Sequence, residues 1–214
     1  MTEPFHFYSQ VHLVRLLGRR ARTARELLDG IREVPAASIY YHTHRSLQQH
    51  HFASPEPTND FAYWLTGELN LRPLGEQVAS VDIVRFKSIE ELRTALVSIL
   101  EPAVAGDARK VVCPEGGEFH FKGCVSFVLP TGLQASTPEE FAAALERVSV
   151  GSLYFHMFEA PLRLKQDTND FSRWFESIGQ AGVAREIARL DPYTITLDGL
   201  RKNIVRIVQT HALH

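Results

Sequence analysis

Along this chain apolar side chains recur mainly at three- and four-residue intervals behind polar start signals, and that pattern predicts helices. Thr23-x-x-Glu26 opens one, with Leu27, Leu28 and Ile31 on its apolar face. Thr137-x-x-Glu140 opens another, with Pro138 at the first helical position and Phe141, Leu145 and Val148 behind it. Ser88-x-x-Glu91 begins a third, carrying Ile89, Leu92, Leu96 and Ile99. Asn59 or Thr58 caps a short helix that holds Phe61 and Trp64 three positions apart. Gly18 and Gly132 read as helix stops or turns. Phe5-His6-Phe7 and Phe119-His120-Phe121 alternate with period two, as short strands that could pair with each other. The expected fold class is mainly α.

The chain is written twice. Shifted by 114 positions, Phe5-His6-Phe7 falls on Phe119-His120-Phe121, and Ser38-Ile39-Tyr40-Tyr41-His42 on Ser152-Leu153-Tyr154-Phe155-His156. With four residues dropped from the second copy, Thr58-Asn59-Asp60-Phe61 meets Thr168-Asn169-Asp170-Phe171, and Trp64 meets Trp174. The period is too long for a solenoid repeat. The expectation is two tandem helical units, residues 1–102 and 115–214, joined by a Pro-, Gly- and Ala-bearing connector at 103–114. Like units tend to pack as an isologous pair does, with pseudo-twofold symmetry.

Composition narrows the function classes. Of 214 residues 44% are hydrophobic and 22% charged, as in ordinary globular proteins, and a net charge of −2 gives no general attraction to nucleic acid. Cys113 and Cys124 are the only cysteines, too few for a disulfide framework. No basic-then-apolar leader opens the chain and no run approaches the roughly 20 apolar residues that span a bilayer, so no membrane partner and a cytoplasmic setting are expected.

The densest chemistry is the stretch YYHTHRSLQQHH, residues 40–51, with four histidines. On a helix His42 and His44 point to nearly opposite sides, and His44 and His51 lie about 10 Å apart along the axis, so no two-histidine chelate forms. On a strand His42 and His44 would share a face and a His-x-His pair could bind zinc. The second copy keeps only His156, the counterpart of His42, so His44, His50 and His51 are expected on a solvated face.

The set retained in both copies is Tyr40, His42, Asn59, Asp60 and Trp64 with Tyr154, His156, Asn169, Asp170 and Trp174. One reading is structural: caps, first-turn acids and a satisfied buried imidazole. The other is a small-ligand pocket where the copies meet. A rival makes the chain a metal-dependent enzyme that holds a transition metal on His42, His156 and Glu159, with Asp60 or Asp170 as supporting carboxylate or base. A third lets Arg19, Arg20, Arg22 and Arg25, in the Arg15–Arg25 patch, bind phosphate or nucleic acid at the capped start of a helix. HExxH, GxSxG, GxGxxG and the phosphate-loop pattern do not occur.

The stretches GRRARTARELLDGIREVPAASIYYHTH, PTNDFAYWL and IARLDPYTITLDGLR resemble a bacterial and archaeal family known only as a domain of unknown function, number five-seven-five-two. The resemblance covers nearly the whole chain. It implies a soluble protein and carries no catalytic residues over. The function expected is binding, as an adaptor or regulatory module acting on a protein partner or small ligand, rather than catalysis.

Overall fold

The computed structural model describes residues 3–45, 59–164, 168–190 and 195–212. Its first half runs β1 (Phe5–Ala21), α1 (Ala24–Glu33), α2 (Ala36–Tyr40), α3 (Asp60–Gly67), α4 (Arg72–Ala79) and α5 (Ile89–Ala105). The second repeats that order: β2 (Phe119–Ala135), α6 (Pro138–Arg147), α7 (Val150–Met157), the short α8 (Ala160–Leu164), α9 (Asp170–Ser177), α10 (Ala181–Ala188) and α11 (Leu197–Ala212). No described helix is long and apolar enough to cross a membrane.

The capping signals lie where the helices begin. Thr23 accepts the Glu26 N–H, Thr137 that of Glu140 and Ser88 that of Glu91. In return the carboxylates of Glu26, Glu140 and Glu91 accept the N–H groups of Arg22, Ser136 and Lys87. Each box satisfies amide donors that a helix start leaves open.

The mainly α expectation is corrected. Helices dominate, but the fold is mixed α and β, because β1 and β2 are seventeen residues each and form a two-stranded antiparallel sheet. The Phe-His-Phe triplets are only the first residues of these strands. Beyond them alternation fades, since residues 13–16 and 125–130 are exposed on both faces, and a strand with no buried face writes no period-two signal. Gly18 and Gly132 do not stop helices. They lie inside the strands at φ +71° and +76°, a left-handed kink that glycine adopts without steric cost.

The chain divides into two compact units whose boundaries cut through both strands. One unit contains α1–α5, the later part of β1 and the opening of β2. Its core gathers Leu27, Leu28, Ile31, Phe61, Leu65 and Leu96 around Phe119 and Phe121. The other contains α6–α11, the opening of β1 and the later part of β2. There Phe5 and Phe7 pack against Phe141 at 5.5 and 5.3 Å between ring centroids, and Phe5 packs against Phe171 at 5.4 Å. Each set of helices therefore buries the Phe-His-Phe triplet of the other sequence copy.

Candidate ligand site at the histidine–aspartate pairs

After α2 the chain continues through one π-helical turn, Tyr41–Arg45, so the histidine stretch begins as helix and the His-x-His chelate on a strand does not arise. His42 and Thr43 are buried within it, and so is His44. The expected solvated face is thus corrected at His44: its ring stacks on Tyr40 at 5.4 Å and lies 3.1 Å from the Thr43 hydroxyl. The solvent-facing residues of this turn are Tyr41 and Arg45, both partly exposed, and His44 faces inward. Burial pushes the His44 imidazole down from 6.5 to about 4, so it is neutral at pH 7. His50 and His51 lie outside the described residues.

His42 meets Asp60 because Asn59 caps α3. The Asn59 side-chain Oδ1 accepts the Ala62 N–H at 2.9 Å, which leaves Asp60 in the first turn with its carboxylate 2.8 Å from His42 Nδ1. The other ring nitrogen, Nε2, accepts the backbone N–H of Lys122 at 2.9 Å. That bond requires a bare Nε2, so the proton sits on Nδ1 and is donated to Asp60. Four residues earlier on the same helical face, the Ser38 hydroxyl donates to the Lys122 carbonyl at 2.7 Å. The Ser-x-x-x-His spacing thus grips both backbone groups of one strand residue. Burial holds the His42 imidazole below its ordinary range and outweighs the raising effect of Asp60.

The other unit repeats the histidine–aspartate pair, but its serine, Ser152, holds no strand carbonyl among the described residues. Asn169 caps α9 on Ser172, Asp170 lies 2.7 Å from His156 Nδ1, and His156 Nε2 accepts the Tyr8 N–H at 2.9 Å. The tryptophans complete it: Trp174 Nε1 donates to the Glu3 carbonyl at 3.2 Å and Trp64 Nε1 to that of Gly117 at 2.6 Å. These roles were hidden in the sequence, which showed only that the two tryptophans correspond. Tyr40 and Tyr154 stack elsewhere, on His44 and Phe158.

Beside each pair lies a cleft. One of about 270 Å³ is lined by His42, Asp60, Tyr63, Glu118 and Lys122. The larger, about 750 Å³, is lined by Phe5, Tyr8, Phe155, His156, Asp170 and Trp174, with Glu3, His6 and Arg173 as further polar groups. It therefore brings residues of the first sequence copy against the histidine and aspartate of the second.

The metal expectation is corrected. Among the described residues no group of three or more His, Cys, Asp and Glu side chains is gathered that could hold an ion. Both ring nitrogens of His42 and of His156 are already engaged within their own unit, and Glu159 is buried against the Gln10 amide. A coordinating imidazole needs a free ring nitrogen.

The arginines are mostly occupied too. Arg19 pairs with Glu33, Arg25 with Asp29 at 3.0 Å, and Arg22 lies 3.8 Å from Glu118. Glu26 occupies the amide region at the start of α1 that a phosphate would use. Arg20 makes no ion pair among the described residues.

Residues 2–209 match the model of a family of unknown function, DUF5752. The chain belongs to this family. It is also similar to a solved structure, OrfY from Thermoproteus tenax, with 31% identity over 97% of this chain and 95% of that one and a TM-score of 0.81. No curated protein matches it.

Proposed function

We propose that this chain is a cytoplasmic binding protein, an adaptor or regulatory module rather than an enzyme, and that the cleft beside His156 and Asp170 receives a small ligand. The observation that carries the reading is that cleft of about 750 Å³, whose aromatic walls are joined by Glu3, His6 and Arg173. Apolar walls with a few convergent polar groups are the usual make-up of a small-molecule site. Catalysis has less support, because a base at His42 or His156 would first have to release the strand N–H it holds. Phosphate or nucleic-acid binding has less support for a parallel reason, the carboxylates already beside Arg19, Arg22 and Arg25. Two buried cysteines that are not joined as a disulfide suit a reducing compartment.

The test is a screen of small amphipathic compounds by thermal shift, followed by titration of a Trp64→Phe variant in which Trp174 is the sole fluorescent indole. The expected ligand shifts Trp174 emission, and loses at least tenfold in affinity in Arg173→Ala. A ligand that binds unchanged to a Ser177→Trp variant with the cleft filled, or one that is turned over, would sink the reading.

A further inference from the structure

Strand β1 carries an exposed surface that neither cleft uses. Leu13 is 60% exposed, Val14 45% and Leu16 76%, all within the unit formed by α1–α5. Neighbouring strand residues point to opposite faces, so apolar side chains stand bare on both sides of the strand. Isolated exposed leucines need no explanation, but three within four residues of an edge strand do. Among the described strands β1 has one neighbour, β2.

The charge along the strand itself has one sign. No aspartate or glutamate occurs between Phe5 and Ala21, whereas Arg15, Arg19 and Arg20 do. Arg19 is neutralised by Glu33, but Arg15 and Arg20 make no ion pair among the described residues. The equivalent stretch of β2, Phe127, Val128 and Leu129 in the other unit, is also exposed but carries no charge. Bare apolar side chains are thus common to both strands, and unpaired arginines distinguish β1.

We propose that residues 13–20 of β1 are a docking edge for an extended, apolar and acidic segment of a partner protein. An edge strand offers its backbone N–H and C=O groups to an added strand, with side-chain contacts setting specificity. Acidic residues would answer Arg15 and Arg20, and apolar ones Leu13 and Leu16. A second copy of this chain fits less well, since an isologous contact sets the same arginines against each other. A lipid surface engages one face of a ribbon, whereas the apolar side chains here stand on two.

The probe is a fluorescein-labelled ten-residue peptide repeating valine-valine-glutamate-glutamate, which sets both residue types on each face, with a lysine-for-glutamate version as its opposite. Fluorescence anisotropy with the full chain should show the glutamate peptide binding at least tenfold more tightly than the lysine peptide. The double variant Arg15→Glu/Arg20→Glu should invert that preference. Leu16→Asp should weaken binding at least tenfold with an unchanged melting temperature, and hydrogen exchange should slow at residues 13–20 when the glutamate peptide binds. No binding of either peptide, or equal binding of both, overturns the proposal. So does a dimer seen by sedimentation and abolished by Leu16→Asp, which assigns the edge to a second copy. Co-flotation with phosphatidylserine vesicles that Leu16→Asp abolishes assigns it to lipid and also overturns the proposal.

Discussion

His42 Nε2 accepts the backbone N–H of Lys122 at 2.9 Å, joining a helix of the first sequence copy to the strand that opens the second. His156 holds Tyr8 at the same distance in the reverse sense. The two histidines retained in both copies thus act as latches, each holding the other copy's strand against its own helices.

Replacing His42 by alanine takes the acceptor from the Lys122 N–H and the Nδ1 donor from the Asp60 carboxylate together. Leaving a buried donor unsatisfied costs about 1–3 kcal/mol, more when a charged group loses its partner. Urea unfolding of His42→Ala should show a loss in that range. A double-mutant cycle with Asp60→Ala should show coupling, because the second substitution removes an interaction already gone. Purely additive losses would disprove the latch.

Acid should weaken the fold through His42 and His44. His42 and His44 are both held below 6.5, so the unfolded chain takes up protons first as pH falls. Their stabilising contribution is full above about pH 6.5. It declines as pH drops below that value, and for His44 it levels off below about 4. That histidine alone is worth on the order of 3 kcal/mol across the window. Urea midpoints between pH 7 and 4 should therefore fall less steeply for His44→Phe than for the wild type. Parallel slopes would refute the assignment.

Gly30 is closed to any side chain, since a β-carbon there would run into the ring of Phe121. Gly30→Ala should destabilise by about 1–3 kcal/mol through overpacking of a filled core. Gly67, at the end of α3, has open space and an ordinary negative φ. Gly67→Ala should be neutral or stabilise by up to about 1 kcal/mol. Equal chemical-denaturation midpoints for the two variants would contradict this packing.

Gly18 sits in open space but at φ +71°, so its cost is conformational rather than steric. Gly18→Ala should lose about 1–2 kcal/mol, the penalty for placing a β-carbon in the left-handed region. The same loss is expected at Gly132, φ +76°. A thermal midpoint unchanged in both variants would show that the strands do not need the kink.

Much of the helical half of this fold is legible in local sequence. Thr23, Ser88, Asn59 and Thr137 mark helix starts because capping depends on residues at most three apart. The internal repeat pointed to His42, Asp60 and their counterparts, and the structure does bring each histidine to its own copy's aspartate. The length of the strands was hidden, because their central residues lose the alternation that a buried face imposes.

The amino-acid sequence by itself determined the duplication, the helix starts and which polar residues both copies keep. Only the tertiary structure decided what those residues hold. A backbone N–H is the same at every position of a chain, so no residue pattern marks Lys122 and Tyr8 as the groups that His42 and His156 grip. Burial of His44 is likewise a property of what covers a helical turn, and that covering comes from residues far away in sequence.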